Sequence, residues 1–171
     1  MSAGGSSWRW VVFATALLPA LLAAACTNQD AVLGVVTPPP SGTPISLSKN
    51  VQPILTSQCA TSGCHGTPLF APMTLEASAA HAALVGMPSC EAPGVKRVEP
   101  FSSSTSYLIS KLEGTQSAVL QASGCASCDY GSGPVFNVRD CGMQMPQFGP
   151  FLDSTAIQLI RGWIDQGAQD N

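Results

Sequence analysis

Charge is scarce in this chain. Only 10% of its 171 residues are Asp, Glu, Lys or Arg, and the formal net charge is −3. No basic stripe runs through it, which excludes the electrostatic footprint of a nucleic-acid-binding protein. Aromatic residues are 6%, so a core built from protein alone would be modest, and a large apolar cofactor would help to fill it. Histidine is scarcer still, present only as His65 and His81. The acids are scattered, and no hydrolase arrangement of nucleophile, base and orienting group can be read. The apolar run Val11 to Ala25 is about 15 residues, short of the roughly 20 that span a bilayer. Strand–helix alternation is missing too. That removes the setting in which a thiol–disulfide oxidoreductase would use Cys125-Ala126-Ser127-Cys128.

Cysteine, glycine and proline are plentiful by contrast, with 7, 16 and 14 residues. So many cysteines point to an oxidising compartment, a cofactor, or both. The glycines and prolines imply much loop. The length suits one domain of ordinary size.

Three segments follow from the order of residues. Residues 1–25 read as an export signal: Met1 to Trp10 carries Arg9 and no acid, and Val11 to Ala25 is apolar and ends in small residues. The close, Leu21-Leu22-Ala23-Ala24-Ala25-Cys26, resembles the bacterial lipobox. That resemblance implies an acylated Cys26 as the first mature residue. With Thr27 rather than Asp after it, the same resemblance implies the outer membrane. Ala23 and Ala25 also fit plain signal cleavage. Residues 26–45 are small, polar and proline-rich, with Pro38-Pro39-Pro40. They read as a tether with little to bury. Residues 46–171 form the domain.

The chemistry concentrates at Cys59-Ala60-Thr61-Ser62-Gly63-Cys64-His65-Gly66. Two thiols followed directly by an imidazole suit covalent haem attachment. The sulfurs would form thioethers with the porphyrin vinyl groups, and His65 would serve as an axial iron ligand. Four residues separate the cysteines instead of the usual two. A short disulfide loop beside a bystander histidine fits the same residues. A zinc site from Cys59, Cys64, His65 and a later cysteine has suitable ligand chemistry, although an oxidising space disfavours free thiolates.

Spacing and caps predict a series of helices, the all-α reading of the domain. A helix from Ser46 to Gln58, capped by Ser48 with Pro53 in its first turn, buries Val51, Ile54 and Leu55 and delivers Cys59. A second covers Leu75 to Val85 and holds His81. A third starts at a Ser104 cap and stops at Gly114. Residues 114–151 show no convincing periodicity. The last helix runs from an Asp153 or Ser154 cap through Gln166, with Ile157, Ile160 and Ile164 in one stripe. Opposite His65, a methionine would give a high-potential electron carrier. Met145-Pro146 is the best placed, with Met143, Met87 and His81 as competitors; Met73 reads as packing.

Taken together, Val51-Gln52-Pro53-Ile54, Cys-x4-Cys-His-Gly, Arg97-Val98-Glu99-Pro100, Ser106-Tyr107-Leu108, Lys111-Leu112-Glu113-Gly114, Met145-Pro146 and Ile160-x-x-Trp163-Ile164-x-x-Gly167-Ala168 resemble the single-haem cytochrome c-like domains of exported bacterial lipoproteins. The resemblance covers Ser46 to Ala168. It implies a small helical domain around one covalent haem c, held by Cys59, Cys64 and His65 with Met145 as distal ligand. It implies single-electron transfer between redox partner proteins at the cell envelope, with no substrate bond made or broken. The domain's long loops would be tied by disulfides among Cys90, Cys125, Cys128 and Cys141. Cys90 with Cys141 and Cys125 with Cys128 is one of three possible pairings. A haem-free lipoprotein stapled by three disulfides, with a binding or structural role, is the alternative; an even cysteine tally satisfies both.

Overall fold

A computed structural model of the chain describes residues 42–67, 73–123, 142–147 and 149–171. They all belong to one unit, residues 35–171. The export signal, Cys26, most of the tether, and Cys125, Cys128 and Cys141 lie outside the described residues.

The first helix opens as a π-helical turn, Leu47–Val51, and continues as α1, Gln52–Gln58. Ser46, not Ser48, is its cap. Ser46 has extended backbone and its Oγ accepts from the Lys49 N–H at 3.3 Å. Ser48 is committed elsewhere: its N–H and Oγ both donate to the Asn171 carbonyl, at 2.8 and 2.7 Å. Ser46 Oγ donates to the same oxygen at 2.6 Å, the Leu47 N–H donates to Asn171 Oδ1 at 2.9 Å, and the Ile45 N–H to Gln166 Oε1 at 2.7 Å. The two ends of the domain are thus knotted together.

Of the expected second helix only α2, Ala80–Leu84, is regular, because residues 77–79 form a turn and residue 75 is irregular. A bonded loop follows. Gly86 donates to Val98, Ser89 to Val95 and Arg97 to Met87, and isolated bridges join Val85 with Val98 and Pro88 with Lys96. A 3-10 turn, Ser103–Thr105, is pinned by Asp165, whose carboxylate accepts from the Ser103 N–H and Oγ. It precedes α3, Tyr107–Glu113, which Gly114 ends in left-handed backbone. The stretch read as aperiodic contains a further helix, α4, Gln116–Ser123. The last helix, α5, Ser154–Asp165, starts as the sequence suggests: Asp153 Oδ1 accepts from the Ala156 N–H at 2.8 Å.

The expectation of a cytochrome c-like all-α domain built round a haem, with long disulfide-tied loops, is corrected here in its helix content and its core, although Cys90 in the loop after α2 is disulfide-bonded. Helix accounts for less than half of the described residues, and apolar side chains close the core on one another. Trp163, Ile160 and Ile164 from α5 meet Val51 and Leu55, Leu84, and Ile109 and Leu112, with Leu75 and Val98 added from loops. Trp163 is fully buried and its Nε1–H donates to the Gln169 carbonyl at 2.9 Å, so the largest ring is satisfied by protein alone. Hydrogen bonds and bridges organise the loop after α2. Of the described cysteines, Cys90 is disulfide-bonded and Cys59 and Cys64 are free. Among the described residues no helix is long and apolar enough to cross a membrane.

Candidate functional site

The loop 59–66 is wound tightly on the end of α1. The Cys59 and Ala60 N–H groups both donate to the Leu55 carbonyl, at 2.9 and 2.7 Å, which stops the helix. The Cys64 and Gly66 N–H groups donate to Thr61, and the His65 N–H returns to the Cys59 carbonyl at 3.1 Å. These bonds bring the second cysteine and the histidine back over the first. Gly66 is required by close approach: a Cβ there would overlap the Ala60 carbonyl. Beyond the loop, Thr67 gives two 3.0 Å bonds to Glu76 Oε1, and the Leu75 N–H donates to the His65 carbonyl at 2.8 Å. Gln52 secures the same place from α1, since its Nε2 donates to the Leu75 carbonyl at 2.9 Å while its buried Oε1 has no partner.

Cys59 is buried and Cys64 exposed. Burial, and then the charge of Cys64, pushes the Cys59 thiol up to about 11, so at neutral pH it is a thiol rather than a thiolate. His65 is half-buried. Its Nδ1 lies 3.1 Å from the Met73 carbonyl. A carbonyl only accepts, so Nδ1 carries the hydrogen and Nε2 keeps its lone pair. Burial lowers the His65 pKa, and the Lys111 and Arg97 charges act the same way; the Met73 bond and Glu91 oppose them. The imidazole is therefore neutral at ordinary pH. That is the tautomer and charge state of a metal-ligating histidine, with the second nitrogen oriented by a backbone carbonyl. In chemistry, then, the residues fit a covalent haem: two unbridged thiols and a neutral imidazole in one loop.

Met145 lies elsewhere in sequence and is seated on α3. Its N–H donates to the Lys111 carbonyl at 2.9 Å, and its bond to Pro146 is cis. Gln144 Nε2 donates to the Leu112 carbonyl at 2.9 Å. Lys111 Nζ meets Glu91 Oε2 at 2.9 Å, with side-chain exposures of 8% and 16%, and the Tyr107 hydroxyl donates to the same oxygen at 3.0 Å. The charges felt by His65 thus include the pair on which the Met145 segment rests. The other candidates are placed differently. Met143 and Met87 are exposed; Met73 packs on the core and lends its carbonyl to His65. His81 Nε2 bonds the Ala168 carbonyl at 2.9 Å, tying α2 to the residues after α5. Among the described residues no three His, Cys, Asp or Glu side chains converge as a metal-binding group; Cys125, Cys128 and Cys141, later cysteines open to the zinc reading, lie outside those residues.

Glu91, Lys111 and Gln52 were not legible as site residues. Glu91 and Lys111 are 20 positions apart, one in a loop and one on a helix, and only their burial together reveals the pair. No family model, no curated protein and no solved structure matches this chain.

Proposed function

We propose that this protein binds one haem c through Cys59, Cys64 and His65 and passes single electrons between redox partner proteins at the cell envelope. The observation that carries the reading is the state of the loop. Both thiols are unbridged, and a neutral imidazole offers Nε2 while its Nδ1 is held by Met73. Cys59 and Cys64 would hold the group as thioethers, an addition of S–H across a double bond that would need no oxidant. The bound group supplies reversible one-electron exchange at iron. His65 would hold the iron through Nε2, and Met145 would supply the second protein ligand. Gln52 and Glu76 hold the chain leaving the loop, and Gly66 lets it close. A lipid on Cys26 anchors the protein, and the exposed Met143 offers apolar surface to a partner.

The second reading, a haem-free lipoprotein stapled by three disulfides, draws on the closed side-chain core and the Cys90 disulfide. It also needs Cys59 and Cys64 to pair, and they are free.

The test is intact mass and a pyridine haemochrome spectrum on mature protein produced with a cytochrome c maturation system and in its native host. The expected result is a mass gain of one haem that disappears in Cys59→Ala/Cys64→Ala. Colourless protein from the native host, with no free thiols, would overturn the reading in favour of the stapled form.

A further inference from the structure

The geometry points to Glu91, Lys111 and Gly142 as a seat that sets the position of Met145. The inference rests on the reading of Met145 as the distal ligand. Residues 142–145 lie along the C-terminal end of α3 and are fixed there at several points. Gln116 Nε2 donates to the Gly142 carbonyl at 3.4 Å, Gln144 Nε2 to Leu112, and the Met145 N–H to Lys111. The floor under Gly142 is the ion pair itself. A Cβ built on Gly142 would run into both Lys111 Nζ and the Glu91 carboxylate, and its φ of +77° is one that side chains rarely adopt. Glycine is therefore needed twice over, for contact and for backbone conformation.

The floor is stiff. Glu91 Oε2 takes hydrogen bonds from both Lys111 Nζ and the Tyr107 hydroxyl, and Lys111 Nζ lies 5.8 Å from the Tyr107 ring centre. Glu91 is also next to the disulfide-bonded Cys90. A buried, hydrogen-bonded charge pair resists displacement, because moving one partner leaves the other charge without its counter-ion in a poorly hydrated place. The seat thus transmits the position of α3 to Met145, and the same pair faces His65 electrostatically. Glu91, Lys111 and Gly142 are positioning residues; none is offered as an iron ligand.

Two readouts test the seat in the full chain. The first needs no haem: amide exchange at Met145 in protein whose cysteines 59 and 64 are still thiols. The Met145 amide should exchange about tenfold or more faster in Gly142→Ala and in Glu91→Leu than in wild type, the size expected when a hydrogen bond is opened locally. Unchanged exchange in both variants would overturn the proposal. The second uses loaded protein. Haem content should stay at one per chain while the methionine–iron charge-transfer band is lost and the reduction potential falls. Glu91→Gln, which keeps an acceptor for Lys111, should restore part of both. Ile160→Val, chosen as a remote core change, should lower thermal stability and leave the band intact. A band that survives Gly142→Ala and Glu91→Leu would also overturn the proposal. If wild type takes up no haem, the proposed function falls and the Met145 amide still decides the seat.

Discussion

The loop carrying Cys59, Cys64 and His65 is held by near neighbours, whereas the segment carrying Met145 is held by residues far back in the chain. Within the loop, the His65 N–H returns to Cys59 and the Gly66 N–H to Thr61. The Met145 segment reaches back 26 positions at Gln116 and 32 at Leu112. The turns of the first region close over short stretches of chain. The second exists only once α3 and the Glu91 loop are assembled, because a contact between distant residues must overcome the entropy of closing the chain between them. Damage to the two regions should therefore separate.

Glu91→Leu should have the largest effect. It removes the carboxylate that Lys111 Nζ and the Tyr107 hydroxyl share and is expected to cost about 3–5 kcal/mol in denaturant unfolding, with Lys111→Met added to it recovering most of the loss. A double variant no more stable than Glu91→Leu would show that the charge pair is not what holds this region. Gly66→Ala attacks the other region. The added methyl meets the Ala60 carbonyl, so a loss of about 1–3 kcal/mol is expected from overpacking against backbone. Protection of the His65 amide should fall while that of Met145 is retained, and equal loss at both sites would erase the contrast drawn here.

Acid sharpens the comparison further. In the chain before haem attachment, the folded His65 pKa is lowered from 6.5. Between the lowered value and 6.5 the unfolded chain binds more protons, so stability decreases as pH falls through 6.5 and levels off below the folded value. Unfolding free energy measured across this range should have a shallower slope in His65→Gln; an identical slope would mean that His65 is not buried neutral. The smallest change is kinetic. Iodoacetamide should label the exposed Cys64 before Cys59 at pH 8, and Cys59 should catch up only as pH nears its pKa of about 11. Equal rates at pH 8 would show that the loop does not bury its first thiol.

What sequence could reveal follows the same division. The thiol–imidazole loop was readable because its chemistry is contiguous: two thiols and an imidazole within seven residues. The last helix was readable because its apolar period is strong; Ile160, Trp163 and Ile164 are all fully buried. Helix α4 was missed because Gln116-Ser117-Ala118-Val119 carries too little apolar contrast to mark a face. The fold expectation failed for a related reason. It counted helices and assigned the unfilled space to a cofactor, whereas Leu75, Ala92 and Val98, all buried, enter from loops where no period announces them. Glu91 and Lys111 looked like ordinary surface charges, since nothing local tells a buried pair from a solvated one. Met145 could be singled out by its Pro146 neighbour, yet what seats it lies on other elements.

The knot that joins Ile45–Ser48 to Gln166 and Asn171 has a mechanical consequence. If the domain hangs from a tether ahead of residue 46, any pull enters at Ile45 and is carried at once by bonds to Gln166 and Asn171. The load path then runs into the end of α5 and its buried Trp163, instead of along α1 into Cys59. Tension on such a tether would thereby be diverted from the thiol–imidazole loop, which would keep its geometry under load.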